Sequence, residues 1–264
     1  KLTRDAELEL TDDISESYID KISRSIQQRK HGSPVRFIYD REMPKDMLKM
    51  LTRLLNFGVD DALIPGDRYH NFKDFMRFPQ FGKKKFYYEP FRHIHHKDII
   101  PGKSILSAIN KKDIMLFFPY HPFEHFIDLL REASIDPYVT SIQITLYRLA
   151  RNSSVINALL NAARNGKKVT TIVELQARFD EEANLLWGNK LMEEGVKVIY
   201  GVPGLKVHAK LCLITRSKDD ILHRYAAIGT GNFNEDTARV YTDHLLLTSD
   251  KKITNDVFKA FNFF

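Results

Sequence analysis

The sequence has one cysteine, Cys212, so the chain has no disulfide framework. This cysteine lies in the apolar run Leu211–Ile214, where we expect a small core residue, and its isolation indicates a reducing compartment. The sequence also lacks any run near the ~20 apolar residues of a transmembrane helix, and its first residues do not form a signal peptide. These absences predict a soluble protein of the cytoplasm.

Glycine and proline are scarce, at 12 and 10 of 264 residues, which excludes collagen-like and disordered Pro/Gly-rich classes. Hydrophobic residues make up 43% and charged residues 28%, as in an ordinary globular protein. Because the length exceeds the ~100–150 residues of a common single domain, we expect two domains, 1–104 and 105–264, which meet where the pattern changes after Pro101–Ser104. The sequence begins without methionine and ends on the apolar Phe264, from which we expect a fragment.

The net charge of +6 is compatible with a polyanionic partner but falls short of the dense clusters of nucleic-acid binders, so we expect no nucleic-acid partner. Residues 72–96 interleave aromatic and basic side chains. They form either a polyanion-binding surface or, in the interpretation that we favour, a basic loop that packs its aromatics on a neighbouring domain. His95 and His96 are adjacent, without cysteines or an acidic cluster at ligand spacing, and we therefore predict no zinc site.

Helical and extended patterns alternate beyond residue 104, which predicts an α/β fold. The predicted helices span residues 122–132, 155–164 and 181–194, and the predicted strands span residues 141–147, 169–175, 196–200, 209–215, 224–228 and 244–248. Before the boundary, the patterns predict a helix at 15–28, a strand at 35–39 and a helix at 44–57. The predicted fold class is α/β, with a mixed sheet flanked by helices and preceded by part of an α+β domain.

Neither a P-loop, GxxxxGKS/T, nor a glycine-rich kinase loop occurs, so phosphoryl chemistry would have to use other groups. His208 and Lys210 alternate at the start of a predicted strand and should point to the same face. A neutral imidazole is a nucleophile near neutral pH, and an ammonium neutralises phosphate oxygens. The pair suits a phosphohistidine intermediate, but the spacing alone favours a surface histidine at a strand start.

Two further features could bind an anion. The turn Gly229–Asn234 follows a strand, and its glycines and Asn232 could present N–H donors, although an ordinary glycine turn has the same composition. Arg148 and Arg178 each follow a predicted strand, which places both at the carboxyl edge of a parallel sheet. Guanidinium groups bind phosphate bidentately, so these arginines predict a phosphate clamp, with solvated surface residues as the alternative.

The HxK sequence at His208 and the glycine turn with asparagine resemble a half-site of the phospholipase D superfamily. Five segments together resemble the motifs of bacterial polyphosphate kinases in their order along the chain. These segments are residues 145–148, 173–184, 204–210, 229–234 and 237–243. The similarity runs through most of 105–264, which would be the first phospholipase D-like domain, and less distinctively through 1–104, which resembles the later part of the head domain.

The resemblance implies reversible transfer of the terminal phosphate of ATP to inorganic polyphosphate, with Mg²⁺ and with His208 as the phosphorylated residue. It implies that Arg148 and Arg178 belong to the Mg²⁺-phosphate site, where a guanidinium would hold the phosphate oxygens rather than the metal. It also implies that Tyr241 contacts the nucleotide. Lys210 and Asn232 are added from the phosphate-binding argument.

The family also has an amino-terminal helical domain and a second phospholipase D-like domain, both outside this chain, and it commonly forms homo-oligomers. We therefore expect the isolated chain to make no polyphosphate. Peripheral association with the inner membrane stays open. Two other functions are compatible with the sequence: a phospholipase D-like phosphodiesterase, which usually needs two half-sites, and a basic polyanion-binding module built on residues 72–96.

Overall fold

The computed structural model describes residues 1–5, 23–24, 32–58, 62–69, 71–72, 75, 78–79, 81–89, 91–150, 152–174, 181–201 and 205–264. The chain divides into two compact units, Lys1–Pro90 and Phe91–Phe264. The domain boundary after residue 104 remains a prediction. None of the described helices is long and apolar enough to cross a membrane.

The first unit contains a three-stranded sheet in the order β1-β2-β3, in which β1 runs antiparallel and β3 parallel to β2. Its elements are β1 (Leu2–Arg4), β2 (Pro34–Asp40), α1 (Lys45–Leu54), β3 (Ala62–Gly66) and a short 3-10 helix (Lys84–Phe86). The predicted strand at 35–39 corresponds to β2. Helix α1 is shorter than the predicted 44–57, because Pro44 occupies its N-cap and Asn56, just after its C-cap, has a left-handed φ of 52°. The predicted helix at 15–28 lies outside the described residues, apart from 23 and 24.

The second unit is built on a seven-stranded mixed sheet in the order β4-β10-β9-β8-β5-β6-β7. Its strands are β4 (Ile114–Phe118), β5 (Val139–Leu146), β6 (Lys168–Val173), β7 (Lys197–Tyr200), β8 (Lys210–Lys218), β9 (Ile221–Gly229) and β10 (Asp243–Thr248). Its helices are α2 (Ile105–Lys111), α3 (Glu124–Ile135), α4 (Ser154–Arg164), α5 (Glu181–Glu193), α6 (Glu235–Ala238) and α7 (Lys251–Phe263). This architecture confirms the predicted α/β class with a mixed sheet flanked by helices.

Strand β8 lies in the centre of the sheet and is covered on both faces. Its successive residues Cys212, Leu213 and Ile214 are all buried, and successive strand residues point to opposite faces. Leu213 packs in a cluster with Val257 and Phe261 of α7, so this helix covers one face. The predicted core position of Cys212 is therefore correct.

The strand directions bring several chain segments to one edge of the sheet. Strands β5, β6 and β7 run parallel, so the segments that follow them leave at this edge. Strand β8 is antiparallel to β5 and begins where β5 ends, while β9 ends and β10 begins beside the start of β8. Ends of six strands, β5 to β10, therefore lie along the edge where β8 begins.

Candidate functional site

The predicted nucleophile His208 lies in the extended segment just before β8, and Lys210 is the first residue of that strand. The prediction started the strand at residue 209, one position earlier. Lys210 Nζ lies 3.0 Å from His208 Nδ1 and 2.5 Å from the His208 carbonyl oxygen. The lysine side chain is buried while His208 is exposed, so the structure places the imidazole at the surface with the lysine nitrogen behind it.

The surroundings of this pair favour the uncharged form of both side chains. Desolvation lowers the pKa of Lys210, and the negative charge of Asp243 partly opposes this effect. Desolvation also lowers the pKa of His208, and the positive charge of Lys210 lowers it further. Both effects favour the neutral, nucleophilic form of the His208 imidazole over that of a free histidine.

Tyr147, which follows β5, forms one wall of the site. Its ring meets the His208 ring edge to face, with the centroids 5.0 Å apart and the planes at 81°. Lys210 Nζ lies 5.3 Å from the centre of the same Tyr147 ring, a cation–π distance. The aromatic ring thus contacts both members of the pair and limits where the imidazole can swing.

The backbone on both sides of His208 is held by side chains from neighbouring strands. The Val207 N–H donates to Glu174 Oε2 at 2.8 Å. On the other side, the Thr145 hydroxyl donates to the Ala209 carbonyl at 2.7 Å and accepts from the Leu211 N–H at 3.0 Å. Glu174 and Thr145 are both buried.

Asn184 of α5 links the two strand ends that carry these side chains. Its buried Nδ2 donates to the carbonyl oxygens of Tyr147 and Glu174, each at 2.8 Å. One amide therefore joins the segment after β5 to the segment after β6. This bond fixes the Tyr147 backbone relative to that of Glu174.

The glycine turn after β9 lies beside Lys210, because Gly229 pairs with Lys210 in the sheet. A Cβ on Gly231 would lie 2.2 Å from Asp243 Oδ2, so this position requires glycine. Asp243 Oδ1 accepts from the Thr230 hydroxyl at 2.8 Å and so ties the turn to β10. The turn is therefore a close-packed element of the site rather than a loose connection.

Asn232 and Asn234 of this turn have different surroundings. Asn232 Oδ1 is buried and has no hydrogen-bond partner among the described residues. Asn234 caps α6 through its Oδ1, and its Nδ2 donates to the Arg148 carbonyl at 3.3 Å. The turn is thus bonded to the segment that carries Arg148, while the Asn232 side-chain oxygen is left for another partner.

The other predicted site residues are placed as follows. Arg148 follows Tyr147 after the end of β5. Strands β5 and β6 are parallel, which is the strand arrangement that the predicted phosphate clamp assumes. Arg178 lies outside the described residues. Tyr241 lies two residues before β10 and is 62% exposed.

The sequence models of two families match this chain. The one described as "Polyphosphate kinase C-terminal domain 1" matches residues 104–264, and the one described as "Polyphosphate kinase middle domain" matches residues 1–78. The first match alone covers more than half of the chain. The chain belongs to the polyphosphate kinase family.

Individual members of the polyphosphate kinase family agree with this assignment. The polyphosphate kinase of Yersinia pestis is 50% identical over 263 residues, and that of Escherichia coli K12 is 49% identical over 265 residues. Each alignment covers 100% of this chain but 38% of the relative. The chain therefore spans little more than a third of the length of the curated relatives that it matches.

A solved polyphosphate kinase also shares the fold. The crystal structure of the enzyme from Porphyromonas gingivalis superposes with a TM-score of 0.68 at 36% sequence identity. The superposition covers 86% of this chain and 36% of that chain. Over most of its own length, this chain therefore has the fold of part of that polyphosphate kinase.

Sequence reasoning missed four residues that shape this polyphosphate kinase site: Tyr147, Thr145, Glu174 and Asn184. All four lie within two segments that carried the family resemblance, 145–148 and 173–184. Their positions within those motifs could have drawn attention to them. Their contacts with the His208 segment depend on long-range strand pairing and could not be read from local spacing.

A second group of histidines lies near β4, away from Lys210. The His96 N–H donates to His125 Nε2 at 3.2 Å, and the Phe117 N–H donates to His121 Nδ1 at 2.9 Å. A ring nitrogen that accepts a backbone N–H has no lone pair left for a metal. Within the part of the chain that the structure describes, no group of three or more His, Cys, Asp or Glu side chains could hold a metal ion.

Proposed function

We propose that this chain is the phosphohistidine-bearing part of a polyphosphate kinase, which transfers the terminal phosphate of ATP reversibly to inorganic polyphosphate through His208. The observation that carries the proposal is the exposed His208 imidazole, whose Nδ1 lies 3.0 Å from the buried Lys210 Nζ. This contact occupies Nδ1. It leaves Nε2 as the nitrogen without a hydrogen bond among the described residues, and therefore as the atom that attacks phosphorus.

The reaction proceeds in two displacements. The Nε2 lone pair attacks the γ-phosphorus, an N–P bond forms, and the bond from phosphorus to the β,γ-bridging oxygen breaks so that ADP leaves with the electron pair. A terminal oxygen of the polyphosphate chain then attacks the same phosphorus, and the N–P electrons return to the imidazole. The reverse sequence regenerates ATP from polyphosphate.

Lys210 supports the first displacement through Nδ1. The reactive tautomer has its proton on Nδ1, which then donates to Lys210 Nζ in its neutral form. Burial lowers the pKa of Lys210, so its neutral amine is easier to reach than that of a free lysine. As N–P bond formation makes the ring more acidic, the amine can take the Nδ1 proton, and the resulting ammonium faces the new phosphoryl group.

The remaining site residues bind the substrates in this proposal. Arg148 and Arg178 hold phosphate oxygens through bidentate guanidinium contacts, Asn232 contributes its side-chain amide, and Tyr241 contacts the nucleotide. Mg²⁺ supplies neutralisation of the ATP phosphates. Because the described residues offer no cluster of metal ligands, the ion would be held through those phosphates beside the two arginines rather than by the protein alone.

The partners and location follow from the family. In this proposal, the amino-terminal domain and the second phospholipase D-like domain of the longer family chains complete the site, and the whole protein is a cytoplasmic homo-oligomer. The relatives are more than twice as long as this chain, which supports the need for further domains. We therefore expect the isolated chain to make no polyphosphate.

The test is labelling of the full-length protein with γ-³²P-ATP, comparing wild type with His208→Ala and with His223→Ala, a histidine on β9. We expect acid-labile, alkali-stable label in the wild type and in His223→Ala, and none in His208→Ala. Equal labelling of all three proteins would place the covalent step at another residue. Robust polyphosphate synthesis by the isolated chain would contradict the expected need for the other domains.

A further inference from the structure

The segment that carries His208 lies outside the strand ladder. The pairing of β5 with β8 ends at Ile144 and Cys212, and that of β8 with β9 begins at Lys210. Among the described residues, 206–209 therefore have no strand partner that fixes their backbone. A catalytic side chain on such a segment needs another source of rigidity, since a displacement of about 1 Å can cost a rate factor of about 10².

Two buried side chains supply that rigidity at the residues on either side of His208. Glu174 accepts the Val207 N–H at 2.8 Å, and Thr145 donates to the Ala209 carbonyl at 2.7 Å. The Thr145 hydroxyl also accepts the Leu211 N–H at 3.0 Å, so it continues the β5–β8 ladder by one step with a side chain in place of a peptide group. Each of these bonds joins backbone to a side chain of 4% exposure or less.

The same two residues also affect the position of the Tyr147 ring, which forms one wall of the site. Asn184 links the carbonyl of Glu174 to that of Tyr147, and the Tyr147 ring contacts the His208 ring. Thr145 lies two residues before Tyr147 on the same strand end. A shift of either anchor would move both the backbone that carries the imidazole and the ring that limits its swing.

We propose that Thr145 and Glu174 are positioning residues for the phosphoryl transfer at His208, because they fix the backbone on its two sides and so aim Nε2 at phosphorus. This inference rests on the proposed function. Neither residue touches the imidazole itself. Both act through the peptide groups of Val207 and Ala209.

The test compares Thr145→Val with Thr145→Ser in the full-length protein. Valine keeps the size of threonine and removes the hydroxyl, whereas serine keeps the hydroxyl and removes the methyl group. A packing role predicts that valine is tolerated better than serine. The positioning role predicts the reverse. The labelling rate should fall by about 10- to 100-fold in the valine variant and stay within about fivefold of the wild-type rate in the serine variant. The KM for ATP should stay within about twofold of the wild-type value in both variants.

Thr171→Val is the matched control. Thr171 lies on the neighbouring strand β6, is completely buried, and its hydroxyl has no partner among the described residues. We expect this variant to label at the wild-type rate, which would show that loss of a buried hydroxyl from this sheet is not harmful by itself. Circular dichroism and the thermal midpoint establish that each compared protein is folded.

Glu174 is tested in the same way with Glu174→Gln, which keeps an oxygen to accept the Val207 N–H, and Glu174→Ala, which does not. We expect glutamine to retain at least about a third of the labelling rate and alanine to lose about 10-fold or more. If the valine or alanine variant does not fold, the serine and glutamine variants decide, since a loss of about 10-fold in either would overturn the proposal.

The outcomes separate this inference from the proposed function. Absence of acid-labile label in the wild type would refute the phosphohistidine itself. Label in the wild type with an undiminished rate in Thr145→Val would refute the positioning role and leave the phosphohistidine intact.

Discussion

His125 should make the second unit of this protein sensitive to mild acid. The side chain is buried, its Nε2 accepts the His96 N–H, and desolvation lowers its pKa from 6.5 to about 4. The positive charges that His95, His121 and His96 can carry contribute smaller parts of this lowering, and Asp128 opposes it. Because the unfolded chain takes up a proton near pH 6.5 and the folded chain only near pH 4, stability falls as the pH falls through this window.

The size of the effect follows from that difference in pKa. Between about pH 7.5 and about pH 5, His125 should remove about 2 kcal/mol from the free energy of unfolding, and the full loss below pH 4 is about 3 kcal/mol. His125→Gln keeps an acceptor near the position of Nε2 but cannot be protonated. We therefore expect the variant to lose about 2 kcal/mol less than wild type over this pH range.

Urea unfolding at the two pH values measures the difference, with the fluorescence of the single tryptophan, Trp187 on α5, as a probe within the second unit. His223→Gln, which alters a histidine on β9 outside this cluster, is the control and should follow the wild type. If His125→Gln loses as much stability as the wild type within about 0.5 kcal/mol, the reasoning about burial is refuted.

Three further predictions concern the site. Gly231→Ala should lower the free energy of unfolding by about 1–3 kcal/mol, because its Cβ would meet the Asp243 carboxylate at 2.2 Å; an unchanged urea midpoint would contradict this. Lys210→Met should raise the pKa of His208, because the positive charge of Lys210 lowers that pKa and the variant removes the charge. The acid limb of the pH–rate profile for labelling should then move to higher pH, and a move to lower pH would contradict the prediction. Asn234→Ala should lower the free energy of unfolding, measured in urea, by about 1–2 kcal/mol, because α6 loses its N-cap and the Arg148 carbonyl loses a donor. Asn234→Asp keeps the cap and should recover part of that loss.

Much of the second unit could be predicted because its local patterns agree with its fold. The alternation at residues 141–147 and the apolar run at 209–215 predicted β5 and β8, which the structure extends to Val139–Leu146 and Lys210–Lys218. The i, i+2 spacing of His208 and Lys210 predicted a shared face, and their nitrogens lie 3.0 Å apart. These features depend on backbone geometry within a few residues.

Other elements escaped prediction because their signals are weak or non-local. Strand β4, Ile114–Phe118, is short, and α2, Ile105–Lys111, spans two turns only. Helix α7, Lys251–Phe263, was not predicted although its buried residues follow a helical spacing. The Thr145 and Glu174 contacts could not be predicted, because they join residues that are 64 and 33 positions apart.

That separation along the chain has a consequence for biosynthesis. The Thr145 hydroxyl bonds the Leu211 N–H across 66 positions, and β8 lies between β5 and β9 in the sheet. During synthesis at about 5–20 residues per second, the parallel strands β5 and β6 emerge several seconds before β9 and β10, and the chain closes the long loop to β8 only after that strand has left the ribosome. A nascent chain arrested before residue 206 would present Thr145, Tyr147 and Glu174 without the segment that they hold. Under the proposed function, labelling of His208 should therefore appear late in translation.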